Sequence, residues 1–246
     1  MARALAATVT ALAAAAALVA AGAASRLDAW GVDHVMPGLD PLAQDHGVVD
    51  PTGLWRPFPL DASWWEKLLD AGKYPASALV SAAVVALVCL RLSRRAALVW
   101  AGAWCALNAA EVAGKRLLER PAVHWSNAAA PVHVTPFDHS FPSGHAARAV
   151  LLAGLVAFVW PGLRSAAAAW AALVPAALVA GGDHTLSDVA GGLLLGLAAA
   201  LAARTIIRAW TPSTSSSRGS STASSATPSP SWRTSRASGS RSPTPS

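Results

Sequence analysis

Charge is scarce in this chain. Only 13% of its 246 residues are Asp, Glu, Lys or Arg, whereas 54% are apolar. A water-solvated globular domain carries roughly a quarter charged residues, so the balance fits a chain solvated largely by lipid. Cysteine is scarcer still. Cys89 and Cys105 both sit in apolar runs, which excludes a disulfide framework and a Cys-built metal centre and leaves two small hydrophobes. There is no dinucleotide-binding or Walker-type glycine loop and no internal repeat. Acidic residues are missing altogether from residue 211 onward, where Ser, Thr and Pro dominate with scattered Arg. Such a segment buries too little apolar surface to offset ordering and reads as a disordered cytoplasmic tail over 211–246. No nucleic-acid partner is expected.

What the chain does have is long apolar runs. Six stretches, about 4–24, 76–92, 96–113, 145–161, 165–182 and 188–208, approach the ~20 residues that a bilayer core requires of a helix. Backbone groups must be satisfied inside lipid, so the expected fold is all-α, a polytopic transmembrane bundle of about six spans. Residues 1–25 are either its first helix or a signal peptide. Arg3 provides a basic start and Ala21-Gly-Ala-Ala-Ser25 a small-residue cleavage site, but the apolar run exceeds the usual 7–15 residues. Residues 26–75 read as an extracytoplasmic loop with a short interfacial helix at 61–70, where Asp61 caps and Trp64 and Trp65 suit the membrane boundary. Residues 76–210 form the core. With a cytoplasmic N-terminus, Arg3, Arg91, Arg94, Arg95, Arg164, Arg204, Arg208 and the tail arginines fall inside, as the distribution of basic residues in membrane proteins requires. All thirteen acids and seven histidines fall on or near the outer side. Lys115, Arg116 and Arg120 are outer exceptions, and basic residues on that side call for a functional reason.

Three polar segments lie at outer helix ends: Lys115-Arg-Leu-Leu-Glu-Arg120-Pro121, Phe141-Pro-Ser-Gly-His145 and His184-Thr-Leu-Ser-Asp188. A bundle can bring them to one depth. Lys and Arg supply fixed charge for phosphate oxygens. Pro-Ser-Gly at a helix start offers a hydroxyl and free N–H groups, which favour anions. Two histidines supply a nucleophile and a proton donor near neutral pH. Asp188, four residues after His184, shares its helix face and can orient the imidazole.

The second and third segments carry a resemblance to the type 2 phosphatidic acid phosphatases, a family that includes the lipid phosphate phosphatases and is related to vanadium haloperoxidases. It covers roughly residues 76–208. The family shows Lys with six residues before Arg-Pro, then Pro-Ser-Gly-His, then Ser-Arg with five residues before His-x-x-x-Asp. Phe141 to His145 matches the second motif and His184 to Asp188 the end of the third, with 38 residues between the two histidines. The resemblance implies a lipid phosphate monoester or diphosphate as substrate and an extracytoplasmic active site in the plasma membrane. It implies His184 as the nucleophile that forms a phosphohistidine, His145 as acid and then base, and Asp188 as orienter. Lys115, Arg120, Ser143 and the Gly144 N–H would bind phosphate oxygens. No metal or other cofactor is implied.

Two departures stand out. After Arg120-Pro121 come Ala122-Val123 rather than a second Arg-Pro, and aligning Arg120-Pro121 as the terminal pair puts Ala113 at the lysine position. In the third motif Ser-Arg is replaced by Ala177-Leu178. Arg148, three residues after His145 on the same helical face, is the expected replacement for that arginine, because an arginine in an apolar span faces a cavity or a partner. Snorkelling to the surface and pairing with an acid such as Asp183 are its other readings. Glu111 and Lys115 have the spacing of a helix ion pair. His124, His133 and His139 read as solvated loop residues, and Trp100, Trp104, Trp160 and Trp170 as packing or lipid-facing ones. The alternative to an enzyme is a degenerate member of the family acting as a membrane scaffold or phosphate-binding protein. A transporter would place its charges near mid-bilayer rather than at helix ends.

Overall fold

The computed structural model describes residues 1–35, 71–118, 120–121, 137–138, 140–180 and 183–210. Seven α-helices carry the fold among these residues: α1 (Ala2–Ala20), α2 (Ser25–Val35), α3 (Ala78–Cys89), α4 (Arg94–Leu117), α5 (Gly144–Val159), α6 (Arg164–Ala180) and α7 (Leu186–Trp210). Short 3-10 turns at Tyr74–Ala76 and Pro161–Leu163 lead into α3 and α6, and β1 (Arg120–Pro121) pairs antiparallel with β2 (Phe137–Asp138). The six apolar stretches expected to span the membrane fall on α1, α3, α4, α5, α6 and α7. Four helices are long and apolar enough to cross a membrane: Ala2–Ala20, Arg94–Leu117, Pro161–Ala180 and Leu186–Trp210. At 12 and 16 residues, α3 and α5 reach only about 18 and 24 Å, short of a ~30 Å bilayer core. The interfacial helix expected at 61–70, loop histidines His124, His133 and His139, and the tail lie outside the described residues.

The bundle turns apolar side chains outward as well as inward. Leu79, Leu87, Leu90, Leu98 and Leu173 are all exposed, which suits contact with lipid tails. Inside, Trp100, Leu107, Leu151, Leu152 and Leu155 form the main cluster, with Trp100 against the Phe158 ring at 5.8 Å between centroids. The hairpin between α3 and α4 is closed by Ser93, whose side chain accepts from the Ala96 N–H. Helices α5 and α7 make the largest interface, and α1, α4 and α2 also pack on α7.

Small residues set that interface. A Cβ at Gly192 would strike the Ser143 carbonyl oxygen, and one at Gly196 the Ala147 carbonyl oxygen. Spaced four apart, the two glycines form a bare stripe that lets the α5 backbone lie directly on α7, as small residues do between membrane helices. At the neighbouring position, a Cβ at Gly191 would collide with the Phe141 ring. The beginnings of α5 and α7 are therefore held side by side.

Helix α2 stands where the sequence suggests an extracytoplasmic loop. Asp28 on α2 is buried and accepts from the Ser187 backbone N–H at 2.8 Å and the Ser187 hydroxyl at 2.6 Å. It thus satisfies a donor that the first turn of α7 would otherwise leave open, and its negative charge suits that helix end.

Candidate active site

The polar ends of α4, α5 and α7 meet at one end of the bundle. Ser143, the N-cap of α5, donates its backbone N–H to the Asp188 carbonyl at 2.9 Å. Its own Oγ accepts from the Ala146 N–H at 3.5 Å, which leaves the hydroxyl proton to donate elsewhere. Gly144 opens α5 against α4, because the place a Cβ would take there is filled by the Glu111 carboxylate. Any larger residue at 144 would displace that carboxylate.

Asp188 is fully buried, and among the described residues its Oδ2 meets Ser140, Thr185 and His184. Ser140 Oγ donates at 2.7 Å, the Thr185 N–H at 3.2 Å, and His184 Nδ1 lies at 3.4 Å. The His184 contact is long for a hydrogen bond, as such contacts often are before substrate binds. It faces Nδ1 toward the carboxylate, so Nε2 is the nitrogen turned away from Asp188. The backbone N–H groups of Asp183 and His184 both reach the Leu178 carbonyl, at 2.9 and 3.3 Å. The segment carrying His184 is thereby folded back on the end of α6.

A second polar group joins α4 to α5. Glu111 accepts from Lys115 Nζ at 2.9 Å and from Arg148 Nη1 at 2.5 Å. Arg148 also donates from Nη1 to Asn108 Oδ1 at 2.9 Å and from Nε to the Ala76 carbonyl at 2.7 Å. The helix pair expected between Glu111 and Lys115 is present, and Glu111 also holds Arg148, so the acid beside Arg148 is Glu111 and not Asp183. Asp183 instead meets Lys73 Nζ at 2.5 Å. His145 is half-buried at the start of α5, within coulombic reach of Arg148, His184, Glu111 and Lys73. Lys115 is partly exposed beside this group. Arg120 lies in β1, just beyond α4.

Sequence reasoning passed over two residues. Asp28 and Lys73 belong to segments without motifs, and their partners are 159 and 110 residues away. Ser25-Arg-Leu-Asp28 has the spacing of a helix-start signal, which would have announced α2 but not its docking on α7. Two tryptophans placed as packing residues also act as donors, Trp104 to Ser81 Oγ and Trp170 to the Gly72 carbonyl, both at 3.0 Å.

The Asp28 contact has a measurable consequence. Asp28→Ala strips the Ser187 N–H and hydroxyl of a buried acceptor, which costs about 1–3 kcal/mol. The thermal unfolding temperature of the purified protein is expected to fall, with Asp28→Asn falling less because its amide oxygen can still accept. Equal unfolding temperatures for Asp28→Ala and wild type would show that the contact does not hold α2 to α7.

A bundle of apolar helices whose cations, carboxylates and two histidines converge at one end defines a polytopic helical membrane protein with a preformed polar site. The sequence model of the PAP2 superfamily matches residues 118–212, which include both histidines and Asp188. The fold of the chain is similar to the crystal structure of a transmembrane PAP2-type phosphatidylglycerolphosphate phosphatase from Bacillus subtilis, with a TM-score of 0.56 and 17% identity over 85% of this chain and 98% of that one. No curated protein sequence matches the chain.

Proposed function

We propose that the protein is a membrane phosphatase acting on a lipid-linked phosphate monoester or diphosphate. The observation that carries this reading is the packing of the Ser143-Gly144-His145 helix start against the His184–Asp188 pair, inside the segment 118–212 that matches the PAP2 superfamily model. In this mechanism His184 Nε2 attacks phosphorus. A P–N bond forms, the P–O bond to the leaving group breaks, and His145 gives its proton to the departing oxygen. His145 then takes a proton from water, which attacks phosphorus. The P–N bond breaks, releasing phosphate and restoring His184. Asp188 keeps the Nδ1 proton and the ring orientation through both steps.

Phosphoryl transfer is mainly a matter of position and charge. Lys115, Arg120, the Ser143 hydroxyl and the Gly144 N–H are assigned to the phosphoryl oxygens. Each such donor can supply on the order of 3 kcal/mol at the transition state. Arg148 contributes its charge from the same helix as His145, with Nε and Nη1 already committed to Ala76, Asn108 and Glu111. The site is assigned to the extracytoplasmic face, because Arg91, Arg94, Arg95, Arg164, Arg204 and Arg208 occupy the opposite helix ends and basic residues favour the cytoplasmic side. The plasma membrane is the corresponding location.

Purified protein is expected to release phosphate from a panel of phosphatidic acid, phosphatidylglycerol phosphate and polyprenyl diphosphate. Release should persist in EDTA and be inhibited by vanadate, which mimics five-coordinate phosphorus. Loss of activity in EDTA would overturn the metal-free scheme. Failure of the whole panel would favour a phosphate-binding membrane scaffold, which the missing motif arginines would then explain.

A further inference from the structure

The third motif lacks its arginine, and the position is filled by Leu178, a buried apolar side chain. Arg148 has most of its donors committed elsewhere. A cation does approach from outside the matched 118–212 segment. Lys73 precedes the 3-10 turn at Tyr74–Ala76, and its neighbours on both sides are tied down. The Gly72 carbonyl accepts from Trp170 Nε1 on α6 at 3.0 Å, and the Ala76 carbonyl from Arg148 Nε on α5 at 2.7 Å. This short strap crosses from α6 to α5 and aims the lysine at the turn that carries His184. Nζ lies 2.5 Å from Asp183 Oδ2, one residue before His184, and the side chain is only 15% exposed. A lysine with no role but solubility would extend its strongly hydrated ammonium into water.

We propose that Lys73 is a ligand of the substrate's phosphate group, supplying from the strap before α3 the positive charge that the third motif lacks at Leu178. The proposal rests on the phosphatase reading and names a further phosphate-binding residue for the same site. An ammonium has three protons, so Lys73 can keep Asp183 while donating to a phosphoryl oxygen. Asp183 then acts as its positioning partner. His145 lies within coulombic reach of Lys73, which places the ammonium on the same side of the bundle as both histidines. The strap also links α5 and α6, so the cation's position is fixed by two helices, one of which, α6, leads into the His184 turn.

The bland alternative is a latch in which Lys73 matters only for holding Asp183. Vanadate binding by calorimetry and phosphate release separate the two on purified Lys73→Gln, Lys73→Arg, Asp183→Asn and the Lys73→Gln/Asp183→Asn pair. Glutamine can still hydrogen-bond Asp183 but carries no charge, so Lys73→Gln is expected to weaken vanadate binding by about tenfold or more. Lys73→Arg should stay within roughly threefold of wild type. Asp183→Asn should lose less than Lys73→Gln, because the ammonium remains, and the pair should match Lys73→Gln alone. Wild-type vanadate affinity in Lys73→Gln would overturn the proposal, as would equal losses in Lys73→Gln and Asp183→Asn with no further loss in the pair. Failure of the phosphatase reading shows separately, as no phosphate release by the wild type, and the vanadate titration still decides whether Lys73 holds the anion.

Discussion

His184→Ala is expected to lower phosphate release by at least about a thousandfold, because it removes the group assigned as the nucleophile. His145→Ala should behave differently, and the difference identifies the two roles. On a lipid alcohol leaving group the loss should be on the order of 10²–10⁴, the usual worth of a positioned proton donor. On p-nitrophenyl phosphate the leaving oxygen departs without a proton, so the first step should recover. The second step still needs a base to activate water. The His145 variant should therefore release a burst of about one nitrophenolate per active protein and then turn over slowly, a sign of an accumulating covalent species. His184→Ala should give no burst. A burst in the His184 variant, or none in the His145 variant, would reverse or abolish the assignment. Asp188→Asn should lower the rate without changing which step is slow, since the carboxylate only orients the ring. Asp188 Oδ2 is also held by the Ser140 hydroxyl and the Thr185 N–H.

The apolar helices and the polar helix ends are legible in the sequence for different reasons. The six apolar helices show because lipid demands long runs, a one-dimensional signal. The histidines, Ser143 and Asp188 show because their chemistry needs fixed local spacing: a hydroxyl and N–H groups at a helix start, and a carboxylate one turn after an imidazole. The connections between segments left no such trace. Nothing local in Asp28 announces Ser187, and nothing in Lys73 announces Asp183. Arg148 was seen as an anomaly needing a partner, yet the partner turned out to be Glu111 on the facing helix, an acid read only as the mate of Lys115. Glu111 has room for both because residue 144 has no side chain. The glycine stripe of α7 is similar. Its spacing is visible, but that it seats the backbone of α5 follows only from the packed bundle. Short α3 and α5 also depart from the even lengths that hydropathy suggested, since apolar composition continues past the point where Leu90 and Trp160 cap the helices.

Glu111→Leu is expected to destabilise the bundle by about 3–5 kcal/mol, the cost of leaving a buried charge without its partner. Arg148 is 5% exposed and Glu111 7%, so water cannot replace the lost carboxylate. The thermal unfolding temperature in detergent should fall sharply, and the double variant Glu111→Leu/Arg148→Met should recover most of it, because a well-packed apolar pair is often as stable as a buried ion pair. Full stability in Glu111→Leu alone would mean that Arg148 finds another acceptor and that the pair is not structural. The double variant carries a further test. If the ion pair served stability alone, restoring the unfolding temperature would restore phosphate release. Glu111 also bonds Lys115 and fills the space against Gly144, two of the groups assigned to phosphate. Arg148 holds the Ala76 end of the strap that bears Lys73. The rescued protein is therefore expected to be stable and still impaired, with weaker vanadate binding. In that case the ion pair is kept for the placement of cations around the substrate, since apolar residues could supply the stability.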